Sequence, residues 1–228
     1  MTAPDAKETL LDAALSHVAF DGWSTETFEA AVADSGVNPT VARAVCPRGA
    51  VDLAVAYHQR GDRLMTERYK AADLSGLRYS QKVAALIRFR IEAADDKEAV
   101  RRGSTLFALP QHAPEGARLI WNTCDLIWNT LGDSSEDVNW YTKRMTLSGV
   151  YGATVLFWLG DDSPGEQATW DFLERRIDDV MRFEKFKAGI RENKALSPLF
   201  AGPLAVLNTI KAPKAARNDL PGQMQGKT

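Results

Sequence analysis

Helical periodicity runs through nearly all of this 228-residue chain, and it limits the fold more than any other feature. Apolar residues recur near i, i+3, i+4 and i+7 in segment after segment, and no run of alternating β-branched residues interrupts them. The fold class is therefore all-α. In KETLLDAALSHVAF the residues Leu10, Leu11, Ala14, Leu15 and Val18 share one side, and Asp21-Gly22 closes the helix. The spacing predicts a second helix over 25–34, ended by Ser35-Gly36. A third begins at Asn38-Pro39, where Asn caps and Pro takes the first helical position. Further helices are predicted over 50–72, over 80–94 with helical continuation through 95–107, over 117–132, and between Gly132-Asp133 and Gly160-Asp161. QHAPEG reads as a loop, and Ser163-Pro164-Gly165-Glu166 reads as a capping box that starts a helix reaching about residue 187.

Composition narrows the function classes. With 45% apolar and 25% charged residues the chain reads as soluble and folded. The only cysteines, Cys46 and Cys124, lie far apart with no histidine spaced as a second ligand, which fits a reduced cytoplasmic compartment. The N-terminus MTAPDAKETLLDAAL is acidic where an export signal is basic. The uncharged run 145–160 is shorter than the roughly 20 apolar residues of a membrane-crossing helix. No GxSxG, P-loop, HExxH or CxxC motif occurs, and His17, His58 and His112 stand apart from paired ligands. A non-enzyme with neither metal nor catalytic cofactor is the expectation.

Residues 8–55 resemble the N-terminal helix-turn-helix domain of TetR-type repressors, through ETLLDAALSHVAFDGW, the AAVADSGV turn and CPRGAVDL. A DNA reader draws its affinity from cations facing phosphates. Here the turn and third helix, VNPTVARAVCP, carry one cation, Arg43, and the first sixty residues hold four basic against eight acidic residues. A helical packing unit, with no nucleic acid partner, is the reading that charge favours.

The helix predicted between Gly132-Asp133 and Gly160-Asp161 has two faces on a wheel. Val138, Tyr141, Met145, Gly149, Gly152, Leu156 and Leu159 form the expected core stripe, while Asp137, Trp140, Tyr141 and Arg144 lie at i, i+3, i+4 and i+7 on a more polar side. Tryptophan, tyrosine and arginine dominate binding energy at many protein interfaces. The same pattern also suits Trp140 covering a neighbouring helix with Asp137 and Arg144 as an exposed ion pair.

Residues 132–181, with the blocks NWYTKR, TVLFWLGDDSPG and TWDFLERRI, resemble the signature region of the coenzyme Q biosynthesis accessory proteins, a lipid-binding family of TetR-like fold. The resemblance extends back through LFALPQHAPEGARLIWNTCDLIW. It implies a homodimer that binds an isoprenoid lipid or quinone in an interior pocket and assists the demethoxyubiquinone hydroxylase. It also implies that Asp137, Trp140, Tyr141 and Arg144 form the docking surface for that enzyme.

Expected pocket walls are Trp121, Trp128, Leu131, Ser148, Tyr151, Gly152, Phe157 and Trp158, although such a stripe is also ordinary core. In the tail, Leu199, Phe200, Leu204, Leu207 and Ile210 fall on one arc of a helix, with Lys211 and Lys214 following. That pattern reads as a membrane-surface helix, which Pro203 restricts, and family members carry such a helix. The expected organisation is a TetR-like helix-turn-helix unit over 1–50, a helical lipid-binding and dimerisation domain over 51–187, and a basic amphipathic tail over 188–228. The expected location is cytoplasmic, peripheral on the inner membrane in a bacterium. The alternative function is a TetR-type ligand-sensing regulator.

Overall fold

The computed structural model describes residues 2–135 and 138–192. Asp137 and the tail residues 199–214 lie outside the described residues. Among those described there are nine α-helices and no strand.

Capping residues set the first three helices where the sequence places them. Helix α1 (Ala3–Asp21) starts from Thr2 in a capping box with Asp5 and stops at Gly22, whose φ of 67° suits glycine. Helix α2 (Thr25–Ser35) is capped by Ser24 and ends on left-handed Gly36. Helix α3 (Pro39–Val45) is capped by Asn38, whose side chain accepts from the Thr40 amide. Their apolar sides, with the first turns of α4 (Ala50–Ala71), enclose one core around Leu10, Leu11, Val18, Phe28, Val37 and Leu53.

A second core, built on Met65, Leu86, Ile87, Ile127, Leu147 and Leu173, is shared by α4, α5 (Tyr79–Glu92), α7 (Ala113–Thr130), α8 (Val138–Leu159) and α9 (Gln167–Glu192). The two cores are tied together by polar links. Arg48, in the α3–α4 turn, donates to Asp52 at 2.8 Å through Nε and to Glu115 of α7 at 2.7 Å through Nη1. Within the first core the Trp23 indole donates to the Ala99 carbonyl of α6 (Lys97–Ala108) at 3.1 Å.

Three boundaries differ from the sequence reading. The stretch 95–107 does not continue α5: Asp96 accepts from the amides of Glu98 and Ala99 and starts α6 as a separate helix. QHAPEG is mostly helical, because Pro114 sits in the first turn of α7, where no amide hydrogen is needed. The Ser163 capping box does not form, since Gly165 and Glu166 both have positive φ and Pro164–Glu166 is a 3-10 turn. Asp161 serves that end instead, accepting from the Thr169 amide at 2.8 Å and its hydroxyl at 2.6 Å. These bonds hold its carboxyl well below the usual range.

The expected core stripe of α8 is also corrected. Met145 and Leu156 are 67% and 68% exposed, and Gly149 is exposed as well, while Arg144, Leu147, Tyr151, Thr154 and Trp158 are buried. This helix is apolar on all sides in its second half, so periodicity does not choose a face. The choice follows volume and charge: the aromatics of one side fill the core, and Arg144 reaches two carboxylates there.

Candidate ligand cavity and the aromatic face of α8

A cavity of about 430 Å³ lies between α4, α5, α6, α7 and α8. Its walls are apolar, with Ile91, Val100, Leu119, Ile120 and Val155 facing the space. Small residues on α6 and α7 leave the volume open. At Gly116 a Cβ would stand 2.7 Å from the Cβ of Phe107, so glycine lets these two helices approach beside the space. Lys97 and Arg101 donate to the carbonyls of Asp161 and Leu159, each at 2.8 Å, and hold α6 against the end of α8. Exposed Ala108, Ala117 and Leu156 mark the mouth.

The inner end is polar. Arg90, 5% exposed, donates through Nε to Asp62 at 2.6 Å and through Nη2 to the His58 carbonyl at 2.9 Å. Its guanidinium lies over Gly61, where a Cβ would fall 2.4 Å from Nη1. The Thr123 hydroxyl donates to Asp62 at 2.9 Å, which makes it the acceptor for the His58 Nε2 hydrogen at 2.9 Å. Burial, and then the charge of Arg90, pushes the His58 imidazole down to about 3, so this ring is neutral at physiological pH. Burial lifts the Asp62 carboxyl, while the Arg90 guanidinium and the Thr123 hydroxyl pull against that shift. Tyr151, 4% exposed, has its ring 6.0 Å from the Arg90 guanidinium, and burial pushes its hydroxyl up to about 12.

At the other end of α8 the expected docking residues are reorganised around a buried cation. Arg144 was expected on the outward side, yet it is 1% exposed and donates to Asp125 at 2.5 Å, Asp133 at 3.3 Å and the Trp140 carbonyl at 3.1 Å. A guanidinium that meets two carboxylates in this way belongs inside, where an unpaired one does not. Trp140 is half-buried, with its ring 4.0 Å from that guanidinium, 5.8 Å from Trp121 and edge-on to Tyr141 at 4.8 Å. Lys143 joins Asp133 at 2.6 Å. Despite burial, the bonds from Lys143, Ser135 and Arg144 hold the Asp133 carboxyl below its usual range.

Of the expected pocket residues, Tyr151, Gly152 and Trp158 line the cavity. The other five do not. Trp121 packs in the aromatic face, Trp128 stacks on Tyr79, Phe157 stacks on Phe172, and the Ser148 hydroxyl donates to the Arg144 carbonyl. Leu131 belongs to the second core. Sequence reasoning missed His58, Gly61 and Arg90 at the polar end and the small residues of α6 and α7. A buried arginine on the inner side of α5, in register with Val83, Leu86 and Ile87, was the available signal. Among the described residues no group of three His, Cys, Asp or Glu is placed to hold a metal ion. No helix among them is long and apolar enough to cross a membrane.

Residues 113–184 match the COQ9 family model. The mitochondrial ubiquinone biosynthesis protein COQ9 of Drosophila melanogaster is 31% identical over 183 residues, covering 77% of this chain and 55% of that protein. Over that length the chain is similar to COQ9. The COQ9 of Homo sapiens is 29% identical over 180 residues, 75% of this chain and 56% of its own length, and that of Xenopus tropicalis is 43% identical over 76 residues, 33% and 24% of the two chains. The chain thus spans about half the length of the Drosophila and human COQ9 proteins. In three dimensions it is similar to a TetR transcriptional regulator from Nitrosomonas europaea, with a TM-score of 0.63, 19% identity, and coverage of 75% of this chain and 95% of that one. That likeness shows the TetR-like fold. The COQ9-matched segment runs from the start of α7 into α9, so it holds Trp121, Trp140, Tyr141 and Arg144 together with the α7 and α8 walls of the cavity.

Proposed function

We propose that this protein serves ubiquinone biosynthesis without catalysing a step: it holds an isoprenoid quinone intermediate in the cavity and presents it to the demethoxyubiquinone hydroxylase. The observation that carries this reading is the apolar cavity of about 430 Å³ with one exposed apolar mouth. That size suits a drug-sized ligand. A quinone ring with its first isoprene units matches it, and the rest of a long chain leaves past Leu156. The COQ9 relationship supplies the pathway, and the face around Trp140 and Tyr141 supplies a docking surface for the hydroxylase.

Two further parts belong to the same reading. The exposed side of α8, with Met145 and Phe157, together with Met181 of α9, supports pairing with a second copy. Attachment to the membrane surface is assigned to the tail residues Leu199, Phe200, Leu204, Leu207, Ile210, Lys211 and Lys214. Deleting 198–228 is expected to abolish co-flotation with anionic liposomes, and undiminished flotation would place the membrane contact elsewhere.

Native mass spectrometry of protein purified from its own host tests the main reading. The expected mass is two chains with bound isoprenoid quinone, identified after organic extraction. Val155→Trp, which fills the cavity, is expected to empty it while leaving the dimer intact. Lipid-free wild-type protein, or a Val155→Trp variant that retains its lipid, would sink the proposal. A ligand-sensing regulator shares the TetR-like fold, but α3 exposes Thr40, Val41 and Ala44 with Arg43 as its one cation, a poor surface for phosphate.

A further inference from the structure

We propose that the cavity takes its ligand head-first, with the Tyr151 hydroxyl and Arg90 Nη1 donating hydrogen bonds to an uncharged oxygen acceptor such as a quinone or ketone carbonyl. This inference rests on the cavity being the ligand site. Its starting point is an unfilled donor: Tyr151 is 4% exposed, lines the cavity, and its hydroxyl makes no hydrogen bond among the described residues. Arg90 has its Nε and Nη2 occupied by Asp62 and the His58 carbonyl, and its Nη1 over Gly61 makes no hydrogen bond among the described residues. Both groups line the cavity, so their unused hydrogens are available to an acceptor that enters it. Two donors from two helices therefore converge on one end of an otherwise apolar space.

Charge balance selects the head. Arg90 is neutralised by Asp62 at 2.6 Å, and the remaining cation of the lining, Arg60, is held by Glu8 and Asp12, each at 2.7 Å. No uncompensated positive charge is left for a phosphate or carboxylate, which would lose its hydration at this depth. A neutral carbonyl gives up far less. Burial also fixes direction, because Arg90, Gly61 and Tyr151 lie at the enclosed end and the mouth at Ala108, Ala117 and Leu156 is apolar, fit for an emerging hydrocarbon tail.

The test uses the full-length chain and three probes: a para-benzoquinone with a two-isoprene tail, an isoprenoid hydrocarbon of matching length, and a long-chain carboxylate. Trp23 and Trp158 line the cavity, so the quinone is followed by quenching of tryptophan emission and the other two by displacement of the quinone. Tyr151→Phe removes only the hydroxyl and keeps the ring beside Arg90. It is expected to weaken the quinone about five- to tenfold, the effect of one hydrogen bond, and to leave the hydrocarbon unchanged. The infrared carbonyl stretch of the bound quinone should shift down in the wild type and return toward its free position in the variant. Equal effects on quinone and hydrocarbon, no effect on either, or a carboxylate that binds the wild type as well as the quinone does would overturn the head-first assignment while leaving the cavity as the site. A wild type that binds none of the three brings down the cavity reading as well.

Discussion

Arg144→Ala is expected to cost about 3 kcal/mol of folding stability, the lower end of the range for breaking a buried ion pair. For a chain of this size that lowers the thermal midpoint by roughly 6–12 °C. The lower end applies because Asp133, whose side chain is 4% exposed, keeps Lys143 as a partner, and Asp125 is nearer the surface. Circular dichroism against temperature and urea measures the loss. Asp133→Asn in the same background should return part of it, which a double-mutant cycle resolves. A midpoint within 2 °C of wild type would show that Arg144 is dispensable. The consequence for docking experiments is direct. Trp140 stands on the Arg144 guanidinium at 4.0 Å, so an Arg144 variant disturbs that platform and would weaken the proposed docking for structural reasons. Trp140→Ala is the cleaner probe, because it leaves the ion pairs of Arg144 in place: with its fold verified by circular dichroism, unchanged association with the hydroxylase would remove this face as the proposed docking site.

Acidification from pH 6.5 to 5 is expected to destabilise the fold through His58 alone, with a slope that steepens toward about 1.4 kcal/mol per pH unit. The sign follows from the depressed folded-state value of about 3 against an ordinary 6.5. Between those limits the unfolded chain binds the proton and the folded chain does not, so stability is intact above about pH 6.5 and falls as pH drops. Asp62 works in the opposite sense at lower pH, because its carboxyl is raised in the fold and takes up a proton sooner there. His58→Gln separates the two. Its urea-unfolding free energy should be nearly flat over pH 7 to 5 where the wild type slopes, and parallel slopes for both proteins would show that His58 does not titrate in this way.

Helix starts and stops were legible wherever one residue does one backbone job. Asn38-Pro39, Gly22 and Gly36 serve as caps because their side chains or backbones satisfy local amides and carbonyls, with no need of the rest of the fold. Ser163 forms no capping box because Gly165 and Glu166 take positive φ; its hydroxyl accepts from the Ala168 amide instead, and the charged Asp161 takes the Thr169 amide. The faces of α8 were not legible. Arg144 sits on the inner side because Asp125 and Asp133, 19 and 11 residues earlier, are brought to it by α7 and the following turn. Periodicity contains no record of that meeting. The cavity was partly legible, and the error is instructive. Large rings such as Trp121 and Trp128 suggested walls, yet large side chains fill space, and the volume lies where Ala94, Gly103, Ala108 and Gly116 leave it unfilled.

Trp23 belongs to the core of the first three helices and also lines the cavity, with its indole bonded to Ala99. The part of the chain shaped like a DNA reader is therefore a plank in the hull of a vessel, and stripping it away would leave the hold open to water.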